Sequence, residues 1–174
     1  MEKSEFTIDK VSIRLVKDSS LCIDYPLDSA EKIADVIGGE LRDMDREVFC
    51  VINLKADLSV ASYTFASVGS IDRSIVHPRE VFKSAILSNA CSIIIMHNHP
   101  SGNIQPSDPD IFITQRMNEC CELMGFPLLD HIIVGAGNKE YFSFKEHDML
   151  IGKSSKRDFS LAAEESVSLS KLKR

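Results

Sequence analysis

Apolar and polar positions follow two rhythms along this 174-residue chain. Residues 11–16 alternate with the period of a strand, and residues 21–25 are placed to be its partner. Asp28 then opens a helix, with Glu31 at the capping-box spacing. Ala30, Ile33, Ala34, Ile37 and Leu41 form its apolar stripe. Gly38-Gly39 predicts that this helix is weakened or ends early. Residues 48–54 and 59–66 read as two strands joined by Lys55-Ala56-Asp57-Leu58, and Gly69-Ser70 marks a turn. Pro78 precedes a helix over about residues 79–89, with Val81, Phe82, Ala85 and Ile86 inward.

Residues 92–96 form a short buried strand that runs straight into His97. Residues 100–106 are loop. Asp108 reads as the next N-cap with Pro109 at the first helical position, and the helix runs to Met124 and stops at Gly125. Residues 128–134 are another buried strand, residues 135–138 a turn, and residues 141–144 a closing strand. Strands alternating with helices predict an α/β fold, in three or two layers, with a mixed sheet and flanking helices.

Composition adds a single domain of ordinary size, 44% hydrophobic and 26% charged. The net charge of -6 is uneven. Residues 153–174 hold six Lys/Arg against three Asp/Glu, a net of +3, which leaves -9 for residues 1–152. The chain therefore divides into an N-terminal strand extension (1–27), a central domain (28–152) and a basic, flexible tail (153–174). An acidic body without tryptophan argues against generic binding to phosphate backbones or stacking on single strands. Five cysteines with no C-x-x-C pair argue against a disulfide framework and a cysteine-ligated zinc, and Cys50 and Cys91 read as core residues. Free thiols, no apolar leader after Met1 and no membrane-length apolar run together predict a cytoplasmic protein.

The chemistry concentrates in His97-Asn98-His99-Pro100, followed by Ser107 and Asp110. Residues i and i+2 of an extended strand point to one side, so His97 and His99 aim at a common point beyond the strand end. The following loop returns the next helix over that point, with Asp110 in its first turn. Two imidazoles and a carboxylate are the ligands of a catalytic Zn2+ that keeps a fourth position for water and acidifies it. A hydrolase also needs a general base. Glu47, at the mouth of the strand beginning at Val48, is the candidate; the plain alternative is one more solvated carboxylate after the charged run 42–46. Glu80 is its rival but reads as a surface or salt-bridged group. Ser107 is either a capping side chain or a hydroxyl for a developing oxyanion. His131 reads as a satisfied core histidine or, alternatively, as support for a ligand. His77 and His147 read as loop or surface residues.

These residues resemble a known family. His97-x-His99-Pro100, Ser107 and Asp110 match the JAMM motif of the JAB/MPN metalloprotease superfamily. His77-Pro78-Arg79-Glu80-Val81, His97-Asn98-His99-Pro100-Ser101-Gly102, Pro106-Ser107 and Leu129-Asp130-His131-Ile132-Ile133-Val134-Gly135 resemble the RadC family over roughly residues 28–150. The resemblance implies a cytidine-deaminase-like α/β fold with a Zn2+ site, places Glu47 on the upstream acidic position, and implies hydrolysis of a peptide or isopeptide bond in a protein or peptide partner. RadC proteins usually carry an N-terminal helix-hairpin-helix region associated with DNA, for which residues 1–27 are too short. A DNA-associated role, in repair or on mobile elements, is therefore the alternative reading, together with a metal-free interaction module. His97-Asn98-His99 is a false match to HNH nucleases, whose three residues are dispersed, and the H-x-E and P-C-x-x-C ligands of zinc deaminases are missing.

Overall fold

A central strand that carries both histidines organises the molecule. The computed structural model describes residues 8–69 and 76–150. In chain order the elements are α1 (Ala30–Arg42), β1 (Val48–Leu54), β2 (Val60–Val68), α2 (Pro78–Leu87), β3 (Ser92–His99), α3 (Asp108–Met124), β4 (Leu128–Gly135) and β5 (Tyr141–Ser143). The five strands form one sheet in the order β2-β1-β3-β4-β5. β3 pairs antiparallel with β1 and parallel with β4, and α3 is the crossover that a parallel pair requires. The sheet is therefore mixed, as expected.

Helices cover both faces, which settles the layering as three. On one face Ile33, Ala34, Ile37 and Leu41 of α1 pack on Cys50, Ile52, Ile94, Met96, Ile132 and Val134. On the other, Val81, Phe82 and Ala85 of α2 and Met117 and Cys121 of α3 pack on Phe49, Val51, Ile93 and Ile95. Burial on both sides explains why β1 and β3 read as continuous apolar runs, while the edge strand β2 shows only partial burial.

Several expectations need correcting. Residues 11–16 and 21–25 are not strands. Val11, Ile13 and Leu15 alternate correctly but are 78%, 74% and 50% exposed, and they pair with no strand among the described residues. The cap of α1 is Ser29, whose hydroxyl accepts from Lys32 N, while Asp28 forms an ion pair with Lys32. That helix is not ended by Gly38-Gly39. A Cβ on Gly38 would lie 2.8 Å from Cγ1 of Val134, so the glycine allows the helix to approach the sheet. α2 ends at Leu87 rather than at residue 89, and Ile86 is half exposed. Cys50 is buried, but Cys91 precedes β3 and is exposed. The cap of α3 is Ser107, one residue before the expected Asp108. Ser70 and the tail 153–174 lie outside the described residues. No helix among the described residues is long and apolar enough to cross a membrane.

Candidate metal centre

β3 continues as a strand through His97 and His99, so both imidazoles emerge on one side of its C-terminal end. The antiparallel register sets Phe49 opposite His97, and the two rings stack at 6.0 Å between centroids. On the other flank the parallel register sets Gly135 opposite His99. A Cβ on Gly135 would lie 2.5 Å from the carbonyl oxygen of Gly102. Only glycine therefore lets the loop after His99 fold down against β4. His99 O fastens that loop by accepting from Gly102 N at 3.0 Å and Ala136 N at 3.2 Å.

The loop delivers Asp110 at the start of α3. Ser107 and Asp110 form a capping box. The Ser107 amide and hydroxyl donate to Asp110 Oδ2 at 2.8 and 2.6 Å, and Ser107 Oγ accepts from Asp110 N. These bonds immobilise the carboxylate with Oδ1 turned to His97 and Oδ2 on the side of His99. His97 Nε2 lies 3.0 Å from His99 Nε2 and 3.2 Å from Asp110 Oδ1, and His99 Nε2 lies 3.4 Å from Asp110 Oδ2. His97, His99 and Asp110 thus form a group able to hold a metal ion.

The donor set fits zinc. Bonds of about 2.0–2.2 Å in a tetrahedron place ligand atoms about 3.3–3.6 Å apart, close to the separations of 3.0–3.4 Å here. The protons agree. His99 Nδ1 lies 2.6 Å from the carbonyl of Asn103, so it donates there, and in the neutral ring Nε2 is a bare lone pair facing a carboxylate. Such a convergence of acceptors needs a positive charge. The titration directions express the same demand. Burial opposes charging of His99, but hydrogen bonds to Asp110 and Asn103 and the charges of Asp110 and Glu47 outweigh it and raise its pKa. Burial also works against ionised Asp110, yet the neighbouring imidazoles of His97 and His99 and the Ser107 hydroxyl hold its carboxyl far below the usual range.

Glu47 immediately precedes β1. Its carbonyl accepts from Gly69 N at 2.9 Å, and extending the β1–β3 register by two residues brings it opposite His99. Its charge is among those that raise His99. The chain on either side of it is gripped by Asn98. The Asn98 side chain accepts from Val48 N at 2.7 Å and donates to Arg46 O at 3.0 Å. Glu80, the rival base, is paired with Lys83 at 2.7 Å on α2. His77 caps α2 through its ring nitrogen, and His147 is exposed and stacked on Phe142. Asp130, beside His131, accepts from Ser143 Oγ and Lys145 N; burial nevertheless raises its pKa.

His131 is the satisfied core histidine of the first reading, and it lies against His97. It is fully buried, and its Nε2 lies 2.8 Å from His97 Nδ1. Its other ring nitrogen lies 2.5 Å from Thr114 Oγ1. Burial pushes its pKa well below the usual histidine value, with the neighbouring His97 adding to the effect. Sequence reasoning passed over Asn98, Asn103 and Thr114. The signal for Thr114 was its position four residues after Asp110, on the same helical face. The signal for Asn98 was a polar amide inside a buried strand, which must find partners.

Comparison with known proteins gives the arrangement its family. A family model described as "RadC-like JAB domain" matches residues 27–149. The chain is similar to a UPF0758 protein of Rubrobacter xylanophilus, 47% identical over 120 residues, covering 67% of this chain and 52% of the relative. It is likewise similar to UPF0758 proteins of Desulfitobacterium hafniense (42% over 124 residues, 71% and 54%) and Pelobacter propionicus (45% over 122 residues, 70% and 52%). The chain spans about half the length of the curated relatives it matches. A mixed five-stranded sheet between helices, a His-His-Asp cluster at the end of its central strand and a family match covering both make this chain a member of the RadC-like JAB domain family.

Proposed function

We propose that the chain is a zinc-dependent hydrolase of the JAMM type that cleaves a peptide or isopeptide bond in a protein or peptide. The observation that carries this reading is the convergence of His97 Nε2, His99 Nε2 and the Asp110 carboxylate at 3.0–3.4 Å. These three residues would hold the ion, with Ser107 and Asn103 fixing two of them in orientation. When bound, zinc supplies a Lewis acid for the scissile carbonyl and lowers the pKa of water beside it.

The remaining work belongs to the chain. Glu47, facing His99, accepts a proton from the attacking water and delivers it to the amide nitrogen as the carbon–nitrogen bond breaks. The products are a carboxylic acid and an amine. Ser107, exposed at the rim, has the hydroxyl for a developing oxyanion, although that hydroxyl is now engaged by Asp110. Metal analysis together with cleavage of a peptide and isopeptide library tests the reading. Wild type is expected to hold zinc and cut. His97→Ala is expected to lose both properties. Glu47→Gln is expected to keep the metal and lose at least about 100-fold in rate, the usual scale of a general base. Full activity of Glu47→Gln on a verified substrate would remove Glu47 from the mechanism.

A further inference from the structure

We propose that Thr114 and His131 are positioning residues that hold the proton of His97 on Nδ1 and thereby keep its Nε2 lone pair free for the metal. The proposal rests on the metal centre proposed above, but it concerns a part of the molecule that carries no ligand itself. It follows from counting protons along a line of four groups. Thr114 Oγ1 lies 2.6 Å from the backbone carbonyl oxygen of Asp110. Two oxygens at that separation require a proton between them, and the carbonyl has none to give. The single hydroxyl proton of Thr114 is therefore spent on Asp110 O.

Thr114 Oγ1 can then only accept from His131 Nδ1, 2.5 Å away, so that nitrogen carries a proton. His131 is fully buried, stacked on Phe144 at 4.7 Å and tilted against Phe49 at 5.8 Å. Among the described residues the ring nitrogens of His131 meet only Thr114 and His97 and no carboxylate that would support a charged ring, so the ring is neutral and Nε2 is an acceptor. The bond of 2.8 Å to His97 Nδ1 is then donated by His97. One proton remains for a neutral imidazole, and it is now placed. His97 Nε2 is bare where it meets His99 and Asp110.

The line closes on itself. It begins at the backbone of Asp110, passes through Thr114 and His131, and ends on His97, whose free nitrogen faces the Asp110 side chain. One turn of α3 thus supplies a ligand from its side chain and, through Thr114 four residues on, the acceptor that sets the tautomer of another. This is the role that a carboxylate or carbonyl plays behind many metal-bound histidines, here carried out by an imidazole and a hydroxyl.

The test uses the full chain stripped of metal by a chelator. Nitrogen NMR of the histidine rings reads the tautomer directly, and competition with a chromophoric chelator reads zinc affinity. Wild type is expected to show the His97 proton on Nδ1. Thr114→Val keeps the shape and deletes the hydroxyl; it is expected to lose that preference and weaken zinc binding by about 10–100-fold. Thr114→Ser is expected to restore both. His131→Phe keeps the ring stack but cannot accept, and should weaken zinc to a similar degree. Wild-type His97 protonated on Nε2, or a folded Thr114→Val variant that binds zinc like wild type, would overturn the proposal. Wild type that takes up no zinc would instead overturn the metal-centre reading, and the NMR would still decide the relay.

Discussion

His97, Asn98 and His99 divide their roles by the alternation of a strand. The histidines turn toward Asp110, and the residue between them turns to the backbone that carries Glu47. Asn98 is fully buried, so removing its amide leaves Val48 N and Arg46 O without partners in a place water cannot readily reach. Asn98→Ala is therefore expected to cost about 2–4 kcal/mol, measured by urea unfolding. Asn98→Asp should be no milder. It can still accept from Val48 N, but it sets a carboxylate oxygen against the Arg46 carbonyl. A loss below about 0.5 kcal/mol in both variants would mean that the grip contributes little. Reach along the chain explains which residues were legible. His97, His99, Ser107 and Asp110 lie within one short segment, and their spacing alone proposes a ligand set. Asn98 meets Val48 across 50 residues, His97 meets His131 across 34, and Thr114 meets His131 across 17. Those partners exist only after the sheet has assembled.

Elements were legible wherever an apolar pattern had something to pack on. β1, β3 and β4 announce themselves as buried runs because helices cover both faces. The alternation of residues 11–16 is as regular, yet no strand forms, since a side-chain pattern supplies no hydrogen-bond partner. The two glycines of α1 show the same dependence on surroundings. By propensity alone each should weaken the helix by about 1 kcal/mol relative to alanine. Their positions differ. A Cβ on Gly39 would meet nothing within 4 Å, whereas one on Gly38 would strike Val134, a β-branched side chain locked in β4. Gly39→Ala is accordingly expected to stabilise the protein by about 0.5–1 kcal/mol. Gly38→Ala is expected to destabilise it, because overpacking of about 1–3 kcal/mol exceeds the propensity gain. Thermal melts of the two variants should move in opposite directions; equal upward shifts would show that α1 can withdraw from the sheet at no cost.

At the scale of the molecule the cluster of His97, His99 and Asp110 is a clasp, because it joins the end of the central strand to the start of α3 across the loop that Gly135 admits. The charge it needs links stability to pH in the metal-free chain. The pKa of His99 is raised in the fold, so its contribution is fully present below its ordinary value of about 6.5 and is lost as pH rises through the raised value. The pKa of Asp110 is depressed, so its contribution is present above about pH 4 and disappears only in strong acid. Metal-free protein should therefore be less stable at about pH 8.5 than at about pH 6, as the proton that balances the Asp110 carboxylate leaves His99. A cation of fixed charge has no such weakness. Under the proposed function, zinc at about 100 times its dissociation constant would add about 2.7 kcal/mol, and because it displaces that proton its affinity should rise over the same interval. Urea unfolding with chelator is expected to show stability falling from about pH 6 to about pH 8.5, and with zinc in excess the fall should vanish or reverse. Asp110→Asn should abolish both the pH dependence and the zinc effect. If metal-free stability is instead flat or rising across that interval, the balance of charge assigned here to His99 and Asp110 does not hold.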